Sequence, residues 1–123
     1  MITCYNIPLR INSPQASTKK DHWGKRLRAK KLMQMAVKRY MAACLAKPPC
    51  KVTLTRIAPR MLDEHDNLRT AMKPIVDIIA DVLIPGLKMG RADDSKEITW
   101  EYAQEKGKVR EYFLRVQIEH NLP

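Results

Sequence analysis

Long apolar runs are missing from this 123-residue chain. No stretch approaches the roughly 20 apolar residues that a bilayer-spanning helix requires, and the N-terminus alternates polar and apolar residues instead of carrying the hydrophobic block of a secretory signal. Cysteine is scarce. Cys4, Cys44 and Cys50 are odd in number and show no CxxC spacing, which argues against a disulfide framework. His22, His65 and His120 are too scattered along the chain to complete a structural zinc site by spacing. Aromatic residues are also few, with one Phe and four Tyr, which speaks against a single-strand binder built on stacking platforms. These absences lead us to expect a reduced cytoplasmic protein with no membrane partner.

Acidic residues are in short supply as well: 13 Asp and Glu stand against 23 Lys and Arg, for a net charge of +10 and a pI near 9.8. Such an excess points toward phosphates, without saying whether they are bound or cut. The length fits one domain with a core large enough to fold alone.

Residues 2–11 read as a first strand, confined to an edge or bulged by Pro8. A basic helix is expected from about His22 to Ala46, with Ala29, Met33, Val37, Tyr40 and Cys44 recurring at three- and four-residue steps. Lys19, Lys20, Lys25, Arg26, Arg28, Lys30 and Lys31 gather toward its start, an arrangement suited to tracking phosphates. An exposed helix face produces the same run with no partner. Lys47-Pro-Pro ends the helix, and 51–58 reads as a second strand on the alternation of Val52 and Leu54 with Thr53 and Thr55. A second helix is expected from about Asp66 to Leu83, where Leu68, Met72, Ile75, Val76, Ile79 and Leu83 form one stripe. Pro74 must either kink it or open its main segment. Two further strands follow, around 98–102 and 112–119, with 103–109 as a hairpin connection. The order βαβαββ implies an α/β or α+β single domain, 1–123, with a mixed sheet and two main helices.

The few acids are not evenly spread. Asp63, Glu64 and Asp66 fall within four residues where a loop becomes the second helix, and Asp93 and Asp94 form another pair. One acid suffices to cap a helix. Two small acidic clusters in a basic chain suggest a hard divalent cation such as Mg²⁺ held against a polyanion. Glu64 and Asp66, two apart in an extended approach, point to the same side. Lys73 lies two turns beyond Asp66 on the face shared by Thr70 and Asp77, where it either binds a phosphate or pairs with Asp77. A straight helix over 66–83 is roughly 27 Å long, so returning Asp94 to Asp66 requires an extended loop or a helix shortened at Pro74.

Glu64-His65-Asp66-Asn67-Leu68, a lysine on the helix so opened, and Asp93-Asp94 downstream resemble the RusA-type Holliday junction resolvases, often encoded by prophages. That family carries Asp-x-Asp-Asn-Leu, a helix lysine and an Asp-Asp pair about 20 residues on. The resemblance spans most of the chain, through the element order and the basic first helix, while residues 62–95 carry the specific motifs. It implies a homodimer that binds branched DNA at four-way junctions and makes paired nicks with Mg²⁺ or Mn²⁺, with no small-molecule substrate. Glu64, Asp66 and Asp94 would then hold the metal with Asp93 beside them, and Lys73 would be the catalytic lysine. Arg69 would join the basic helix residues on DNA. Glu64 stands where the family has its first aspartate, and Lys73 lies three residues later than the family lysine, where this chain has Thr70. A degenerate DNA-binding protein on the same scaffold, or a small basic assembly protein, would share the charge but not the cutting.

Overall fold

A computed structural model of the chain describes residues 2–11, 23–44, 46, 49–62, 67–84 and 97–120. Its strands are β1 (Ile2–Ile7), β2 (Cys50–Ala58), β3 (Ile98–Lys106) and β4 (Phe113–His120), and its helices are α1 (Trp23–Tyr40) and α2 (Asn67–Leu83). The fold is α+β: a four-stranded mixed sheet in the order β1-β4-β2-β3, with β2 parallel to β3 and the other neighbours antiparallel.

Strand alternation decides which face is covered. Val52 and Leu54 of β2 lie in register with Ile118 and Val116 of β4 and with Trp100 and Tyr102 of β3. With Ile7 and Leu114 they form the inward face, on which the aliphatic side chains are almost wholly buried. Each large aliphatic side chain withdrawn from water there contributes about 1.5–3 kcal/mol. On the other face Cys4, Asn6, Glu101 and Glu119 are exposed.

The expected hairpin between the last two strands does not form, because β2 lies between β3 and β4. The reason is burial. Besides Val52 and Leu54 on its inward face, β2 also buries Thr55 and Ile57 on the other, and a strand covered on both faces belongs inside a sheet. Residues 107–112 therefore cross the end of β2. The Gly107 N–H donates to the Ala58 carbonyl at 2.8 Å. A Cβ at Gly107 would meet Ile57 Cγ2 at 3.1 Å and the Glu111 carbonyl at 3.3 Å, so the close crossing favours glycine.

β1 ends one residue before Pro8, short of the expected 2–11, and it is an edge strand as that proline implied. α1 is also shorter than expected, ending at Tyr40. Its inward residues are Met33 and Val37, followed past its end by Met41 and Cys44, while Ala29 and Tyr40 are exposed. Counting three residues from Val37 picks Tyr40, whereas the fourth, Met41, falls on the packed side. α2 matches its expected stripe: Leu68, Met72, Ile75, Val76, Ile79 and Leu83 are all buried. Pro74 lies inside an unbroken helix. Proline removes the bond to the Thr70 carbonyl, but Thr70 and Pro74 are both exposed, so that carbonyl lies on the solvent side.

Candidate nucleic-acid interface

The carboxyl ends of the parallel strands β2 and β3 lie together at one end of the sheet, the place where α/β folds commonly bind ligands. Two polar side chains from the inward face organise it. Arg56 is only 6% exposed; its Nε donates to the Ile11 carbonyl at 2.9 Å and its Nη1 to the Arg60 carbonyl at 2.6 Å. Burial pulls the Arg56 guanidinium below its ordinary pKa; Arg10 acts in the same direction, and Tyr112 opposes it. Gln104 is in register with Arg56 on the next strand, and it holds Leu62 from both sides. It accepts from the Leu62 N–H at 2.9 Å and donates to the Leu62 carbonyl at 2.7 Å. The chain thus leaves β2 along a fixed path as far as Leu62 and re-enters at Asn67, the start of α2.

Charge is concentrated at this end. Arg10, Arg56, Arg60, Lys106, Lys108, Arg110 and Arg115 occupy it, against Glu105 and Glu111 among the described residues. Arg10 lies over the Tyr112 ring at 4.5 Å, and Arg115 is paired with Glu105 at 2.8 Å. The first turn of α2 holds no acid, so the positive end of its dipole adds to the field. Arg69, Thr70 and Lys73 are exposed on the outer side of α2. The three-residue offset of the lysine therefore keeps it on that exposed side and moves it about 4.5 Å along the axis.

The turn 107–112 projects from the same end. Arg110 has φ 64°, a left-handed backbone that costs an ordinary residue about 1–2 kcal/mol. Next to it Val109 is 84% exposed.

None of the acids expected to hold a metal is among the described residues. Glu64, Asp66, Asp93 and Asp94 lie outside the described residues, as do Lys19 and Lys20. Among the described residues no group of three His, Cys, Asp or Glu side chains could hold a metal ion. The described flanks do constrain the expected meeting of Asp66 and Asp94. Residues 63–66 join the carboxyl end of β2 to the start of α2, and 85–96 join its far end to the start of β3. α2 is not shortened at Pro74, so any return of Asp94 toward Asp66 within one copy must be made by 85–96 alone. On α1, Lys25 and Arg26 lie in the first turns with side chains outside the described set, while Arg28, Lys30 and Lys31 are exposed. No helix among the described residues is long and apolar enough to cross a membrane.

Sequence reasoning missed Arg56, Gln104 and the cations of the 106–110 crossing. The signal was present in strand parity: Arg56 follows Val52 and Leu54 on the inward side, and Gln104 follows Trp100 and Tyr102. A polar residue on the buried side of a strand needs a partner, and here both partners are backbone groups. A scan against models of protein families and a search of curated proteins give no match to the chain.

Proposed function

We propose that the chain is a divalent-metal-dependent endonuclease of the RusA type, acting as a homodimer on branched DNA at four-way junctions. One observation carries the reading. The described residue that precedes Asp63, Glu64 and Asp66 in the chain is Leu62, clamped by Gln104 at the sheet end where cations outnumber acids among the described residues, and the one that follows them opens α2. Phosphates are drawn to such a field, and a hard cation between carboxylates and phosphate is a general solution for cutting them.

In this reading Glu64, Asp66 and Asp94 are the metal ligands, with Asp93 beside them. Mg²⁺ or Mn²⁺ there would polarise the phosphoryl oxygen and lower the pKa of an attacking water. The chain's own contribution is positioning. Arg69 and the α1 cations Arg28, Lys30 and Lys31 are exposed for phosphate contact. Lys73, exposed on α2, supplies positive charge to offset the negative charge that builds on the phosphoryl oxygens during displacement.

The test is nicking of a synthetic four-way junction by the purified full chain, with Mg²⁺ and with EDTA. Metal-dependent paired nicks are expected, and Asp66→Asn abolishes them while junction binding persists. Binding without cutting across Mg²⁺ and Mn²⁺ titrations would point instead to a non-enzymatic DNA-binding protein. Wild-type nicking by Asp66→Asn would overturn the site assignment.

A further inference from the structure

The crossing turn is made of residues that its backbone does not favour. The Glu111 N–H donates to the Lys108 carbonyl at 3.0 Å, and the Glu111 carboxylate accepts from the Lys108 N–H at 3.0 Å. This closes a four-residue reversal with Val109 and Arg110 at its tip. Arg110 takes the positive-φ third place, where glycine or asparagine is ordinarily found, and a β-branched valine takes the second. Val109 has the greatest exposure of the large hydrophobic side chains among the described residues. Departures from local turn chemistry concentrate where function constrains the sequence.

The base of the turn is fixed. Gly107 is bonded to Ala58 and packed against Ile57, and Tyr112 lies under the Arg10 guanidinium. The result is one apolar tip, with Lys108 and Arg110 on either side and Lys106, Arg10 and Arg60 in the surrounding surface. A lone valine offers too little apolar area to anchor a membrane surface. Apolar side chains inserted at a base step, with cations on the adjacent phosphates, are an established way of gripping and bending a duplex.

We propose that residues 108–110 form a wedge for branched duplex DNA, in which Lys108 and Arg110 hold phosphates and Val109 enters a base step at the branch point. The proposal rests on the nucleic-acid reading above and adds a contact which that reading does not contain. A branch point is the favoured target because its stacking is already interrupted, so entry displaces less base–base contact than in a continuous helix.

The experiment uses the full chain in EDTA, so that no cutting occurs, and a four-way junction carrying 2-aminopurine beside the crossover. A linear duplex with the same label is the control. Wild type is expected to raise the junction fluorescence more than that of the duplex. Val109→Ser should lose most of that rise and bind about fivefold more weakly, as expected for losing one inserted side chain, while Val109→Leu retains it. Thermal stability should be unchanged in both, because the side chain is so exposed. Arg110→Asn, which suits the backbone but lacks the charge, should reduce the slope of log affinity against log salt by about 0.9. An undiminished rise in Val109→Ser, with binding intact, overturns the wedge and leaves the nucleic-acid reading standing. Self-association of the chain that Val109→Ser abolishes, with no fluorescence change, assigns the tip to a protein contact and overturns the wedge. If wild type binds neither branched nor linear DNA, both readings fall.

Discussion

The two ends of the sheet are built from different chemistry. At the carboxyl end of β2 and β3, the polar side chains of the inward face spend their hydrogen bonds on backbone: Arg56 on Ile11 and Arg60, Gln104 on both groups of Leu62. At the amino end of β2, side chains meet side chains. Thr3 Oγ1 lies 3.2 Å from His120 Nε2, and Lys51 pairs with Glu101 at 3.1 Å. The charges differ too. Glu97, Glu101 and Glu119 stand near Lys51 at the amino end, while the other end is dominated by cations. One end closes the fold, and the other fixes the paths of segments that carry most of the candidate chemistry.

The largest expected effect separates the ends by activity. Lys73→Met should lower junction nicking by about 100-fold or more, the scale of losing one charge-stabilising donor, while junction affinity changes little. Lys51→Met at the amino end should leave nicking rates alone, and equal losses in both variants would erase the distinction. Next in size is a stability effect. Gln104→Leu removes both bonds to Leu62 and should cost about 2 kcal/mol in denaturant unfolding, because two part-buried backbone groups lose their partner. Thr3→Val, at the other end, loses one bond with a side-chain partner and should cost about 1 kcal/mol or less.

Salt dependence comes third. Arg60→Ala and Lys108→Ala should each flatten the slope of log affinity against log salt by about 0.9, whereas Lys51→Ala should not. The smallest effect is on pH dependence. Burial, reinforced by Cys44, pushes the Tyr5 hydroxyl from 10.0 up to about 12. Because the folded state holds the proton more tightly than the unfolded chain, this contribution to stability is complete below pH 10.0. It is lost as pH rises toward about 12. Cys50, raised by burial and then by Cys44, acts in the same direction from its ordinary 9.0. Unfolding curves of Tyr5→Phe should therefore fall less steeply over that window, and an identical fall would remove Tyr5 from the account.

Legibility followed side-chain periodicity. The stripe on α2 is fully buried as spaced, and the alternation of Leu114, Val116 and Ile118 places all three inside. α1 was less readable because several of its apolar side chains face solvent: Leu32 and Met35 are about two-thirds exposed, so apolar identity there does not report packing. The pairing of the last two strands was not readable at all. Two alternating segments joined by a short glycine-containing link suit a hairpin equally well, and only the burial of both faces of β2 draws that strand between them. The candidate site divides in the same way. Its residue types were visible in the acids 63–66, in Lys73 and in Asp93-Asp94, whereas the clamps of Arg56 and Gln104 emerged only from the folded chain.

By itself, the sequence determined the element order, the inward residues of α2 and of the strands, and a strongly basic surface, because these depend on local periodicity and on composition. The tertiary structure decided which strands are neighbours, where the cations gather, and that a buried arginine and a half-buried glutamine hold the chain on either side of the sheet's carboxyl end. Those outcomes depend on contacts between residues distant in sequence, such as Arg56 with Ile11 and Gln104 with Leu62, whose stabilisation appears only once the sheet brings them together.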